Sequence, residues 1–312
     1  GLYDRAAAAQ LAVGLLSFAI LIAALEHINR GRKKTAWKDK HVPFARFKLS
    51  RRRALAAQLF CGLPVFLGAV LPVVALVAMG LKSEQNILSA RYVGFIQNSL
   101  LLGTIAAVCT CGAAIAIVTY RRFSAGIAAQ ASLFVARLGY AVPGIVIAVG
   151  LLVPFASFDN WLDAQMEAWF GISTGLLISG SIWLLILAYM TRFLAAGIGP
   201  YESGLATVSS NVDAVAKLYG RKELGIVGET HLPLLRLDVL TAMLIVFVDT
   251  IKELPATLIL RPFNYDTLAV QAYRLASDER LGGAAGPSLM IAAFGLLPVL
   301  VICLGIGKSH RA

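Results

Sequence analysis

The sequence predicts an all-α, polytopic membrane protein with about seven transmembrane helices. Three observations carry that reading. Charged residues are 14% of the chain and hydrophobic residues 58%, whereas soluble domains carry about 25% charged residues. The apolar residues fall in seven runs, near 6–25, 54–81, 93–120, 131–155, 175–193, 237–260 and 284–307. Each run approaches the roughly 20 residues a spanning helix needs. The charges are packed into the short intervals between runs. One such run could be a buried helix of a soluble domain; seven in succession could not.

The net charge of +11 does not point to nucleic acid. The interval 30–53 alone holds eleven Lys and Arg, and that concentration sets topology rather than forming a binding stripe. It places 30–53 on the cytoplasmic side. Alternation then puts 82–91 outside, Arg121 and Arg122 inside, 156–173 outside, and 199–236 and the 308–311 tail inside. In the outside segment 156–173, Trp161, Met166, Trp169 and Phe170 alternate with Asp159, Asp163 and Glu167, the pattern of an interfacial helix.

Chemistry-bearing residues are sparse. Cys61, Cys109, Cys111 and Cys303 sit inside apolar runs and read as small buried residues. His27, His41, His231 and His310 fall in intervals or at span ends. No catalytic residue and no metal site is expected. Gly307-Lys308-Ser309 lacks the glycine five residues earlier, at Ile302, that a phosphate-binding loop requires.

The chain starts at Gly1, and its first apolar run is followed, not preceded, by positive charge. The expectation is that this run is not a secretory signal. The expectation is a piece of a longer protein. Residues 1–27 would be the last helix of an upstream half, 28–53 a basic cytoplasmic linker, and 54–312 a six-span unit with a cytoplasmic loop at 199–236.

That loop is the longest polar interval of the second half. Leu205, Val208, Val212, Val215 and Tyr219 recur at helical steps and so predict one amphipathic face. Ser210 and Asp213 have capping-box spacing, and Gly220 is placed to end the helix 211–219. A second short helix is expected from 221 to 230, with Pro233 opening the next run.

In the fourth run, 138–144 reads LGYAVPG, a break near the run's start. Broken backbone at membrane depth is tolerated only where it is buried or lines a wet cavity. In the sixth run, Asp249, Lys252 and Glu253 lie at i, i+3 and i+4, which predicts one shared charged face. A charge at the bilayer centre costs roughly 2.5–3.5 kcal/mol, so that face should turn into the bundle. Two uses are open: Asp249 and Glu253 line a path for a cation with Lys252 tuning their field, or the three form a buried network that holds helices in register.

Three motifs carry a resemblance. Asp213, Ala214, Val215 and Ala216, then Tyr219 and Gly220, then Thr230 and Leu232-Pro233 have the spacing of the cytoplasmic coupling loop of ABC importer permeases. Ala214 stands where that family has Glu, with Asp213 one position earlier, and Thr230 where it has an apolar β-branched residue. Lys252-Glu253-Leu254-Pro255 through Arg261-Pro262-Phe263 resembles the hallmark of the ferric-iron branch, and LGYAVPG, ending in Pro143 and Gly144, resembles a signature of the ferric-iron and thiamine branches. The resemblance covers nearly all of 54–307.

It implies the transmembrane permease of an ATP-driven importer in the bacterial inner membrane, with a MetI-like six-span unit. Its partners would be a dimer of ABC ATPase subunits that bind ATP and Mg, a periplasmic binding protein, the lipid bilayer, and an upstream permease half or second copy. It implies no nucleic acid and no cofactor in this chain. Thiamine, phosphonate or polyamine cargo is the alternative within the class. An ATP-independent secondary transporter is the alternative outside it, and would show inverted repeats that the sequence lacks.

Overall fold

The computed structural model describes residues 49–83 and 89–309, together with five isolated positions in the first apolar run; the side chains of 297 and of 301–309 are not described. The expectations for the first span, for most of the 28–53 linker and for the end of the tail lie outside the described residues. Among the described residues the secondary structure is entirely helical.

In chain order the helices are α1 (Arg51–Leu81), α2 (Ala90–Phe123), α3 (Ile127–Leu138), α4 (Gly144–Phe170), α5 (Ile182–Thr207), α6 (Ser210–Leu218), α7 (Glu223–Ile226), α8 (Arg236–Ile251), α9 (Pro255–Leu260), α10 (Leu268–Ser277) and α11 (Leu281–Ser309). Five helices among the described residues are long and apolar enough to cross a membrane: α1, α2, α4, α5 and the 281–300 part of α11. Two expected spans are instead interrupted. The run 131–155 divides into α3, a 3-10 turn at Gly139–Ala141, and α4. The run 237–260 divides into α8 and α9 around Lys252, Glu253 and Leu254.

The centre of the bundle is α2. Its buried residues, among them Leu102, Gly103, Ala106, Ala107, Thr110, Cys111, Ala114 and Val118, follow the three- and four-residue steps of one helix face. Most are small, so neighbouring helices approach closely. A methyl group on Gly103 would lie 3.1 Å from the Phe247 ring and 3.2 Å from Ile251 of α8. Leu184, Leu185, Ala188 and Tyr189 of α5 close the same core with Val246 of α8 and Ala256 and Leu260 of α9.

By contrast, α1 has no buried residue between Arg51 and Leu81. It meets the rest of the chain near its end, where Gly80 faces Ala285 and Leu289 of α11. Two widened π turns, Phe66–Val70 and Val227–His231, each precede a proline by two residues, Pro72 and Pro233. A proline ring clashes with the carbonyl four residues back and offers no N–H; a wider turn accommodates both defects.

The segment 156–173 is the second half of α4 rather than a separate surface helix. Trp161, Trp169 and Phe170 are exposed, as expected of aromatics at an interface. The acids are used differently. Asp159 is buried and accepts from the backbone of Ile178 (3.0 Å) and from the backbone and hydroxyl of Ser179 (2.7 and 2.6 Å). Asp163 accepts from Thr174 N, Gly175 N and the Ser173 hydroxyl at 2.6, 2.8 and 2.9 Å. The two carboxylates, one helical turn apart, hold the return loop 171–181 against α4. Gly171, with φ +65°, ends the helix in the left-handed conformation.

Candidate functional site

Two places in the bundle concentrate the residues singled out by sequence. The first is the end of the bundle where α2 finishes, α5 finishes and α6 stands. The N-cap of α6 is Ser209, whose hydroxyl accepts from Asn211 N at 3.3 Å; the capping-box expectation at Ser210 is corrected by one residue. The helix ends in a Schellman arrangement. Gly220 N donates to Lys217 O (2.9 Å) and Arg221 N to Ala216 O (3.1 Å), with Gly220 at φ +76°.

The expected continuous apolar face is divided. Leu205 and Val208 pack into the bundle, because the chain turns between α5 and α6. Val212, Val215, Leu218 and Tyr219 of the loop are exposed, Leu218 at 87% and Tyr219 at 83%. Ala214 is also exposed, Ala216 is half-buried, and Leu224 of α7 stands 86% exposed. The one buried residue of α6 is its acid, Asp213.

Asp213 is engaged on both oxygens. Oδ2 accepts from Arg122 Nε at 2.8 Å, and Oδ1 lies 2.8 Å from His231 Nε2. Arg122 also donates to the Leu205 and Val208 carbonyls, at 3.3 and 2.8 Å, which satisfies the end of α5. His231 is fully buried and stacks on Phe123, and Lys217 covers the same Phe123 ring at 5.0 Å. Burial pushes the Asp213 carboxyl up, but the hydrogen bonds from His231 and Arg122 and the Arg122 charge outweigh it and hold the carboxyl below its ordinary 3.8. Leu232 is half-buried and Pro233 exposed in the last turn before α8.

The second place is the break between α8 and α9, beside α5. Pro255 cannot donate to Ile251, so α8 stops there and the chain crosses to α9 through Lys252, Glu253 and Leu254. The expected single charged face is therefore corrected. Lys252, with a side chain 59% exposed, pairs with Asp249 at 2.7 Å. Glu253 turns inward and pairs with Arg192 of α5 at 3.4 Å (Nε to Oε2). It also accepts from Ala256 N at 3.2 Å. Lys252 thus balances one acid, not two.

The LGYAVPG break meets the same arginine. A methyl group on Gly139 would stand 1.9 Å from the Thr191 carbonyl oxygen, and one on Gly144 would stand 2.4 Å from Arg192 Nη1 and 2.6 Å from Glu253 Oε1. Only glycine fits against the backbone oxygen at 139, whereas a methyl group at 144 would displace the ends of the Arg192 and Glu253 side chains. Pro143, extended at ψ 138°, is the N-cap of α4. Tyr189 and Thr257 hydroxyls share a buried hydrogen bond at 2.5 Å, and Thr257 donates to the Glu253 carbonyl at 2.7 Å. Arg261 and Pro262 lie beyond α9, where Arg261 pairs with Asp266 and Asn98 of α2 donates to the Asp266 carbonyl at 3.0 Å.

Arg192 and Arg122 are the residues the sequence reading passed over. Arg192 was visible as a lone cation inside an apolar run, TRFL at 191–194, which demands an acidic partner at membrane depth. For Arg122 there was no comparable signal beyond its place at the end of a run.

Two solved structures share the fold. A chain of a bacterial alginate ABC transporter, solved in complex with an alginate pentasaccharide-bound periplasmic protein, matches with a TM-score of 0.63 over 81% of this chain and 93% of that one, at 16% identity. A second structure, of a bacterial ABC transporter involved in the import of the acidic polysaccharide alginate, matches with a TM-score of 0.60 over 84% and 96%, also at 16% identity. The fold is that of a chain found in these two ABC transporters.

Sequence relatives narrow the comparison. The chain is 25% identical over 312 residues to the Fe(3+)-transport system permease protein FbpB 2 of Haemophilus influenzae, 96% of this chain and 57% of the relative. It is 24% identical over 157 residues to a Salmonella typhimurium protein described as a 2-aminoethylphosphonate transport system permease, PhnV, 50% of this chain and 53% of the relative. The chain thus spans just over half the length of the curated relatives it matches. No family model matches it.

Proposed function

We propose that this chain is a transmembrane permease subunit of an ATP-driven ABC importer in the bacterial inner membrane, and that its cargo is ferric iron handed over by a periplasmic binding protein. A separate dimer of ABC ATPase subunits binds ATP and Mg and hydrolyses the nucleotide; this chain performs no chemistry. A second permease half, fused upstream or supplied as another copy, completes the path.

The single observation that carries the reading is α6. A short helix has its acid fastened inward by Arg122 and His231 and its apolar residues Val212, Val215, Leu218 and Tyr219 turned away from the bundle. Exposed apolar residues fixed at one end of a membrane bundle suit a protein partner. Movement imposed on α6 passes through Asp213 to α2 and through Arg122 to the end of α5. Iron as cargo is supported by the iron-transport relative, which aligns with 96% of this chain against 50% for the phosphonate relative. The pairing of Asp249 with Lys252 and of Glu253 with Arg192 favours cargo that passes without a tight protein site.

The test is uptake of radiolabelled ferric iron into proteoliposomes that contain the full transporter, its ATPase and its binding protein. ATP-dependent iron uptake not inhibited by excess 2-aminoethylphosphonate supports the reading. Uptake of the phosphonate instead would reassign the cargo, and transport that proceeds without any ATPase would overturn the class. Co-purification of the ATPase, abolished by Gly220→Pro, tests the docking helix.

A further inference from the structure

Two interrupted spans meet at one ion pair. The break between α3 and α4 and the break between α8 and α9 both reach α5 at Thr191 and Arg192. Arg192 lies ten residues into the 26-residue α5, about 15 Å along a helix that rises 1.5 Å per residue, and so within the hydrocarbon core. An ion pair there is retained only if something requires it, since taking two charges out of water is expensive even when they are paired.

The pair is not built as a permanent staple. Arg192 touches Glu253 at 3.4 Å through Nε. Its Nη1 is buried and makes no hydrogen bond. The slot that holds both groups is the space left by the missing side chain of Gly144. On either side the backbone is already broken, so the long α4 and the short α9 can each move as a rigid piece without loss of helical hydrogen bonds. Glu253 also accepts from Ala256 N, so the carboxylate fixes the start of α9 as well as its distance from α5.

We propose that Arg192 and Glu253 form a latch across the two broken spans, which keeps the bundle closed at mid-depth and must part when α4 and α9 move away from α5. The inference rests on the transport reading for its purpose but not for its test. Closure is a property of the chain that can be read without transport.

The test uses the full chain in membranes with Cys61, Cys109 and Cys303 replaced by alanine and Val142→Cys introduced at the first break. Val142 is half-buried against the core, and native Cys111 of α2, 3% exposed, reports on the intact interior. A water-soluble thiol reagent labels both positions. Expected results are labelling of Val142→Cys accelerated about tenfold in Glu253→Gln and in Arg192→Gln, with Cys111 unchanged. The double variant should be no faster than either single one, as for two halves of one contact. Glu253→Asp, which keeps the charge on a shorter arm, should fall between.

Unchanged labelling at Val142→Cys in both single variants would overturn the latch. So would equal acceleration at Val142→Cys and Cys111, since that marks general loosening. Iron uptake in the parent, measured separately, fails or succeeds independently of these outcomes.

Discussion

Asp213 and Glu253 are both buried carboxylates held by an arginine from a neighbouring helix, yet the two sites are built for opposite ends. Asp213 spends both oxygens at 2.8 Å, one on Arg122 and one on His231, and Arg122 spends its remaining nitrogens on two backbone carbonyls. The ends of α2 and α5, the helix α6 and the turn at His231 are joined in one network through Arg122 and Asp213. Glu253 makes one longer contact to an arginine that keeps a nitrogen idle, between two segments whose helices are already interrupted. A cluster bonded through both carboxylate oxygens and three arginine nitrogens resists motion even with His231 Nδ1 unpartnered; a pair joined by one longer contact between broken helices permits it. The difference assigns rigidity to the bundle end and mobility to its middle.

The contrast is broken most severely by Asp213→Ala. Removal leaves Arg122 and the fully buried His231 without their acid, and breaking a buried pair costs about 3 kcal/mol or more. Thermal unfolding of the detergent-solubilised chain should show that loss, whereas Glu253→Gln should lower stability much less. Comparable losses at both sites would erase the distinction. Next in size is Gly139→Ala. Its methyl group would meet a backbone oxygen at 1.9 Å, which cannot rotate away, and overpacking of this kind costs about 2 kcal/mol.

Gly220→Ala comes third. Space is open around Gly220, so only the left-handed backbone is strained, at about 1 kcal/mol. ATPase co-purification should weaken rather than vanish. The smallest effect sharpens the electrostatics. The folded-state Asp213 carboxyl is held below 3.8, so its stabilisation is complete above that value and disappears as pH falls through the lower folded value. Wild type should exceed Asp213→Asn in stability by a constant margin from about pH 7 to about pH 5, and the margin should close below about pH 4. A margin that grows on acidification would show that Asp213 is not held as a carboxylate.

Much of this was legible beforehand, and the failures share a cause. Gly220 as a helix stop, Pro143-Gly144 as a break and the burial of charge in the sixth run all follow from local rules about glycine, proline and apolar solvent. What local rules cannot supply is which distant residue completes a contact. Asp249, Lys252 and Glu253 were given one face because an unbroken helix was assumed; Pro255 ends that helix, and Glu253 finds Arg192, sixty-one positions earlier. Val212 and Val215 were grouped with Leu205 and Val208 by periodicity, but Val208 ends one helix and Ser209 caps another, so the two pairs face different surroundings. Asp159 and Asp163 read as surface acids because nothing in their own segment reveals the loop that folds onto them.

That loop has a measurable consequence. Residues 171–181 contain little regular helix, yet backbone amides of Thr174, Gly175, Ile178 and Ser179 all donate to the two carboxylates. An irregular segment of chain would ordinarily surrender its amide protons to heavy water quickly. These four should instead retain them on the timescale of the helices they join, and Asp159→Ala, which removes the acceptor, should release the Ile178 and Ser179 protons while leaving those of Thr174 and Gly175 protected.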